Sequence, residues 1–267
     1  MNPKLRRLVF TLVAVAVTSA PGGKGGGLHS PSGKSVDLPP NAGRDAFRQI
    51  VQDQCVLNWK QHHDPDPCER VFLADPKSGD SGYAVLADPA GGAHYLLIPT
   101  HTMRGLDSAE LLDPDAPNYF AEAWHARDLI SGFVGHDVPR TAIGLVVNTA
   151  RTRTQDQFHI HMSCLRQDVI DSLRTAAEHV TDVWSPLSVV GSTYDALRIG
   201  DQDLNGSNLF ELLAKLNPNA RHHLSDYTLI VAGVQLRTGP GFIVLTGTGP
   251  TGEMLLDSTC TVAGGGG

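Results

Sequence analysis

An α+β fold is what this sequence predicts, on three observations. Apolar runs of strand length alternate with segments whose apolar residues recur at helical spacing. One run, TQDQFHIHMSC at 154–164, sets Phe158, Ile160 and Met162 in strict alternation with Gln157, His159 and His161, as in a strand with one buried face. The order strand, helix, strand, strand then recurs roughly a hundred residues later, the pattern expected of two halves of one architecture. At 267 residues and 41% hydrophobic content the chain can bury a sizeable core, as one large domain or as two small lobes.

The folded body begins near Arg44. RDAFRQIVQDQCVL (44–57) places Phe47, Ile50, Val51 and Cys55 on one helical stripe. GYAVLAD (82–88) and GAHYLLIP (92–99) read as strands joined through the turn-prone DPAGG. APNYFAEAWHARDLISGF (116–133) reads as a helix with Pro117 in its first turn and Gly132 near its end, and Tyr119 and Trp124 fall on its core-facing spacing. AIGLVVN (142–148) is a buried strand, RTRTQDQ (151–157) a loop and FHIHMSCL (158–165) the next strand. YDALRI, NLFELLAKL, YTLIVAGV and GFIVLTG, between 194 and 247, repeat the order without an H-x-H; His222 and His223 fall in a loop.

The ends of the chain read differently. Lys4, Arg6 and Arg7 precede an apolar run of 13 residues from Leu8 to Ala20. A stable span needs about 20, so residues 1–20 are expected to be a signal peptide or a short membrane anchor. Residues 21–43, rich in Gly, Pro and Ser, read as a flexible tether, and 263–267 as a disordered tail. Between them lies a body at 44–262, divisible into halves at about 70–168 and 185–262. The expected address is the cell envelope, either the periplasm or the outer face of the inner membrane. Formal net charge is -7, and beyond the first 20 residues the chain has 18 Lys and Arg against 28 Asp and Glu, with no basic cluster. A duplex nucleic-acid partner is therefore not expected. Four cysteines in an exported chain point to two disulfides, with three pairings open and buried free thiols as the alternative. The short polar stretch between Cys55 and Cys68 closes easily, which would leave Cys164 to pair with Cys260.

Two histidines at i and i+2 on a strand stand about 6–7 Å apart on one face. An ordinary pKa near 6.5 leaves each largely neutral at pH 7, fit to act as nucleophile, base or metal ligand. A bare H-x-H also fits ordinary packing, but its surroundings favour chemistry. Asn148 ends the preceding strand, Arg151, Arg153, Thr154 and Gln155 line the loop between, and HYLLIPTH brings His94 and His101. Guanidinium, hydroxyl and backbone N–H groups beside neutral imidazoles make a pocket for phosphoryl transfer. No P-loop, nucleophile elbow or complete zinc motif occurs, so Ser163 and Cys164 read as structural. His62 and His63 read as solvent-exposed histidines of the loop between two cysteines.

The strand HYLLIPTH, the amphipathic helix after it, the strand ending in Asn148 and the loop into QFHIH resemble the histidine-triad (HIT) superfamily of nucleotide hydrolases and transferases. More narrowly, the hydrophobic N-terminus, RTQDQFHIHMSC, YLLIPTH and the placing of the four cysteines are similar to the bacterial CDP-diacylglycerol pyrophosphatases, over roughly 44–262. The resemblance implies a HIT-like antiparallel sheet with packed helices and hydrolysis of CDP-diacylglycerol to CMP and phosphatidate; the repeated strand order admits two HIT-like halves with the second degenerate. It implies no metal or other cofactor. His159 becomes the nucleophile that carries the nucleotidyl group, and His161 a partner of the phosphoryl oxygens or leaving group. Gln157 stands at the first triad position, where many relatives have histidine, and Thr100 where a lysine is common. His94 and Asn148 match pocket-wall positions, and Arg153, Thr154 and Gln155 supply phosphate donors. The implied partners are the nucleotide-lipid substrate and a membrane surface.

Two other classes remain open on the residues. A metal-dependent phosphohydrolase would use His159 and His161 as ligands, with His94, His101, Asp156 or Glu122 as the third. A non-catalytic nucleotide-binding protein would keep its function without His159.

Overall fold

The computed structural model describes residues 36, 43–75, 81–113, 115–216, 220–249 and 252–264. Residues 1–20, expected to be a signal peptide or short anchor, lie outside them, as do the last three glycines and, apart from Val36 and Gly43, the segment expected to be a tether. Val36 packs against the cluster beneath the N-terminal helices, and a 3-10 turn at Thr261–Gly264 runs two residues into the segment expected to be a disordered tail.

Ten strands form one antiparallel sheet: β1 (Arg70–Leu73), β2 (Gly82–Ala87), β3 (Tyr95–Pro99), β4 (Ile143–Val147), β5 (Ile160–Leu165), β6 (Ser185–Val189), β7 (Ser192–Gly200), β8 (Thr228–Leu236), β9 (Gly239–Gly247) and β10 (Leu256–Asp257). Their order is β1-β2-β3-β5-β4-β8-β9-β7-β6, and β10 pairs with the end of β5 that β3 does not reach. Outward from the central β4–β8 pair, the sheet runs β4-β5-β3-β2 on one side and β8-β9-β7-β6 on the other. Four strands in the same relative order thus stand on either side of the centre, with β1 added at one edge.

Helices cover both faces. The N-terminal segment is α1 (Ala46–Ile50), a π-helical stretch (Val51–Val56) and α2 (Leu57–His62). Further along come α3 (Tyr119–His125), α4 (Asp128–Val134), α5 (Gln167–Ala176), α6 (Asp203–Gly206) and α7 (Leu209–Leu216). One face carries α3, α4, α6 and α7 over a continuous core that includes Leu97, Leu145, Ile160, Met162, Val231 and Phe242. The other face is covered in two patches. Phe47, Ile50, Val51 and Cys55 lie over Ala84, Leu86, Leu96 and Ile98 at one end, and Val169 and Leu173 of α5 lie over Val146, Ile230, Ala196 and Ile243 at the other. His161 is opposite Leu96 of the first patch on one side and Val146 of the second on the other. It therefore stands at the seam between the two covering layers.

The α+β class and the antiparallel sheet agree with the sequence reading, while several details correct it. The N-terminal helix runs on to His62, because Asn58, Lys60, Gln61 and His62 extend it as a solvent face; half of the expected loop between Cys55 and Cys68 is helical. His62 accordingly lies in α2, and His63 caps it in the left-handed conformation (φ 56°). The helix expected over 116–133 is two helices broken at Ala126–Arg127; it starts at Asn118, whose side chain accepts from the Ala121 N–H at 3.2 Å, and ends at Gly135, at φ 79°. Regular pairing of the H-x-H strand begins at Ile160, with His159 one residue before it. Strands β1, β6 and β10 and helix α5 were not foreseen.

Both cysteine pairs are bonded as the short-loop argument favours: Cys55 with Cys68 (Cα–Cα 5.6 Å) and Cys164 with Cys260 (Cα–Cα 5.2 Å). Tyr119 and Trp124 are core residues, buried at 1% and 7% exposure. Phe158 is buried between Tyr119 and Phe210, each ring 5.8 Å away. Burying such a ring stabilises the fold by roughly 1.5–3 kcal/mol, and it fixes the chain that presents His159 on the opposite face.

Candidate active site

Alternation along β5 decides what reaches the seam. Phe158, Ile160 and Met162 enter the helix-covered core, so His159 and His161 project into the gap between the N-terminal helices and α5. His94, just before β3, and Asn148, just after β4, fall on the same face, because Leu96 and Val146 of those strands flank His161. All four are buried, at 5–6% exposure. The two imidazoles of the H-x-H lie 4.8 Å apart between centroids, edge to face, and Phe47 of α1 meets His159 edge-on at 5.2 Å.

Hydrogen bonds fix the tautomers. His159 Nδ1 lies 2.7 Å from the carbonyl oxygen of Gln157. A carbonyl only accepts, so Nδ1 carries the proton and Nε2 keeps its lone pair. A second chain begins at Asp88, whose Oδ2 lies 3.4 Å from His94 Nδ1. With Nδ1–H of His94 turned to that carboxylate, His94 Nε2 accepts from His161 Nδ1 at 3.0 Å. His161 Nε2 is then an acceptor as well, and it faces Asn148 Nδ2 at 3.3 Å. Asn148 Nδ2 also donates to Glu253 Oε2 at 2.8 Å, while the Glu253 N–H approaches Asn148 Oδ1 at 3.4 Å. Glu253 belongs to the 3-10 turn Gly252–Leu255 that leads into β10.

Burial drives both imidazoles toward the neutral form. It lowers the His159 pKa below the ordinary histidine value, against the pull of the Gln157 carbonyl and Asp88 and with help from Arg153 and His94. Burial, then the neighbouring His159 and His94, puts His161 well below that value. The unfolded chain, with ordinary histidines, takes up protons that the folded chain refuses. Stability contributed by these groups is therefore complete above about pH 6.5 and is lost progressively as pH falls below it. Unfolding free energy from denaturant titrations is expected to decrease between pH 7.5 and pH 5.5, with a smaller decrease in His161→Gln. An unchanged free energy over that interval would contradict the neutral assignment.

The loop before the H-x-H divides between the site and the scaffold. Arg153 is buried. It donates from Nη2 to Asp107 at 2.9 Å, while Nη1 is buried without a hydrogen-bond partner. It lines a small cavity together with Gly105, Val147, Asn148, Gln157 and His159. Gln157 is wholly used by backbone: Nε2 donates to the carbonyls of Pro99 (3.1 Å) and His101 (2.7 Å), and Oε1 accepts from the Met103 N–H (3.2 Å). Gln155 likewise bonds the start of α1, accepting from the Phe47 N–H and donating to the Gly43 carbonyl. Arg44 of that segment bonds Asp156 at 2.8 Å. Thr154 and Arg151 are exposed. His101 pairs with Glu110 at 3.2 Å, apart from the histidine chain, and Ser163 Oγ donates to the Ala93 carbonyl at 2.8 Å. The structure thus joins His94, Asn148, Arg153, His159 and His161 around one cavity or one chain of bonds, and turns Gln155 and the Gln157 amide to scaffolding.

Asp88, Glu253, Phe47 and Asp107 were missed by sequence reasoning. Asp88 falls where the strand GYAVLAD meets the turn-prone DPAGG and reads only as structure there, and nothing local to Glu253 marks a residue that meets Asn148 across 105 positions. Asp88, His94 and His161 each bring one potential metal-ligand atom within 4.8 Å of the others, the one such group among the described residues. Its closest pair is the 3.0 Å His94–His161 contact, which the tautomer chain above uses as a hydrogen bond. The ligand set expected for a metal reading, with His159 in it, does not assemble.

The family model described as CDH, CDP-diacylglycerol pyrophosphatase, matches residues 42–264. The chain belongs to the CDP-diacylglycerol pyrophosphatase family. It is accordingly a hydrolase, and the family's substrate is CDP-diacylglycerol. The match spans the whole sheet and both covering layers, so Asp88, His94, Asn148, His159, His161 and Glu253 all lie within the region shared with CDP-diacylglycerol pyrophosphatases. No helix among the described residues is long and apolar enough to cross a membrane.

Proposed function

We propose that CDP-diacylglycerol is cleaved by in-line attack of His159 Nε2 on the phosphorus that bears cytidine. The bond from Nε2 to phosphorus forms as the bond from phosphorus to the bridging oxygen breaks, and phosphatidate leaves with the electron pair. Water then attacks the same phosphorus, the nitrogen–phosphorus bond breaks, and CMP is released. The observation that carries this reading is the 2.7 Å contact of His159 Nδ1 with the Gln157 carbonyl, which leaves Nε2 unprotonated in a buried site. Gln157 takes part as a positioning residue: its amide ties Pro99, His101 and Met103 together and so holds its own carbonyl in place. Arg153 Nη1, buried and without a hydrogen-bond partner beside His159, supplies the donor for the phosphoryl oxygens. Phosphatidate is a stable phosphate monoester, so little acid assistance is needed.

The fold supports a HIT-like reading with two related halves, since four strands in one relative order flank the central pair. The body at 44–262 then comprises a catalytic half at about 70–168 and a second half at about 185–262. Export to the cell envelope fits four cysteines in two disulfides, which persist in oxidising compartments. A membrane surface nearby is where a substrate with two acyl chains resides.

The test is hydrolysis of CDP-diacylglycerol in ¹⁸O-water with EDTA present. The label is expected in CMP at full rate. Label in phosphatidate would place the attack on the other phosphorus, and loss of activity in chelator would favour the metal reading built on Asp88, His94 and His161.

Gly105 tests the role of Arg153. Its φ is +49°, and a Cβ there would lie 2.0 Å from Arg153 Nη1. Gly105→Ala is expected to push the guanidinium from its seat and lower kcat/KM by about 10–100-fold. Unchanged kinetics would show that the position of Arg153 does not matter.

A further inference from the structure

Glu253 stands at the outer side of the buried site. Its side chain is 42% exposed, whereas His159, His161 and Asn148 are at 5–6%. Its Oε2 lies 3.5 Å from His161 Nε2, and both of these atoms are acceptors. The two hydrogens of the Asn148 amide resolve that conflict, one directed to each acceptor at 2.8 and 3.3 Å. Other carboxylates near the site are occupied: Asp107 and Asp156 by Arg153 and Arg44, and Asp88 by His94. Glu253, part-exposed, thus brings a carboxylate to His161, next to His159, at the solvent-facing side of the site.

We propose that Glu253 is the general base of the second step, which rests on the covalent reading above. As water attacks the nucleotidyl group on His159, an oxygen–phosphorus bond forms and one water proton passes to the Glu253 carboxylate. The phosphorus–nitrogen bond breaks with its electron pair returning to Nε2. His159 leaves as a neutral imidazole, its Nδ1 proton still directed to the Gln157 carbonyl, and Glu253 passes its proton to bulk solvent. His161 is less suited to this task, because a second proton would place a charge in a buried site beside His94 and His159. Asn148 is the positioning residue that aligns Glu253.

Glu253→Gln keeps an acceptor for Asn148 and removes the base. With cytidine-labelled substrate, the variant is expected to release about one phosphatidate per protein in a burst, then to turn over about 100-fold or more slowly. Base-stable label should accumulate on the protein. Formate is expected to restore CMP release in Glu253→Ala, a rescue that a purely structural role would not show. A burst slowed in proportion to steady-state turnover, or turnover at the unsubstituted rate, would overturn the assignment. Failure of the covalent route itself has a different signature: His159→Ala stays active and no variant carries label.

Discussion

Replacing His159 with Ala is expected to reduce CMP release from CDP-diacylglycerol by roughly four to six orders of magnitude. The loss is that of a nucleophile, since no other side chain in the site combines a free ring nitrogen with a tautomer fixed by a backbone carbonyl. His161→Ala should cost less, about 10²–10⁴-fold, because it removes a group that assists without bonding to phosphorus. Steady-state assays on the two variants, with circular dichroism to confirm folding, give the comparison. Equal losses at both positions, or a His159→Ala enzyme with a tenth of the original rate, would exclude nucleophilic catalysis at His159.

Removing the disulfide between Cys164 and Cys260 is expected to have the largest effect on stability. It closes a loop across a sequence separation of 96, against 13 for Cys55–Cys68. The chain-entropy model gives about 4–5 kcal/mol for a loop of that length and about 3 kcal/mol for the short one. A fall in Tm of roughly 10–20 °C should follow in Cys164→Ser/Cys260→Ser. Activity should fall with it, because this bond and the β10–β5 pairing hold the turn that places Glu253 beside Asn148. Thermal scans and kinetics on the double variant measure both effects. A Tm within a few degrees of the original would refute the argument.

The sequence shows much of this arrangement where periodicity is local. Alternation in QFHIHM places His159 and His161 on one face, and the β2–β3 hairpin, β4, β7, α7, β8 and β9 fall where apolar runs of the right period lie. Helix α5 was legible in principle, since Val169, Leu173 and Ala176 recur at helical spacing and are buried. The short edge strand β1 and the two-residue β10 offer too few alternations to register. The outer parts of the site were hidden for another reason. Asp88 meets His94 across the foreseen β2–β3 hairpin, but nothing in the turn marks it as a site residue, while Glu253 arrives only by the return of the chain after β9, which no local pattern encodes. The sequence reading placed Gln155 among the phosphate donors and Gln157 at the first triad position; backbone groups left open by the loop at 99–103 and by the start of α1 take both amides instead.

The covalent nucleotidyl-His159 is the centre of this account, and it can be sought directly. Enzyme in excess over cytidine-labelled CDP-diacylglycerol, quenched in alkali within one turnover, should carry label on the tryptic peptide running from Thr154 to Arg166. Fragmentation should place it on His159, and brief acid should remove it as CMP. CMP formed at full single-turnover rate with no label on the protein at any time, or label carried by another residue, would contradict the account.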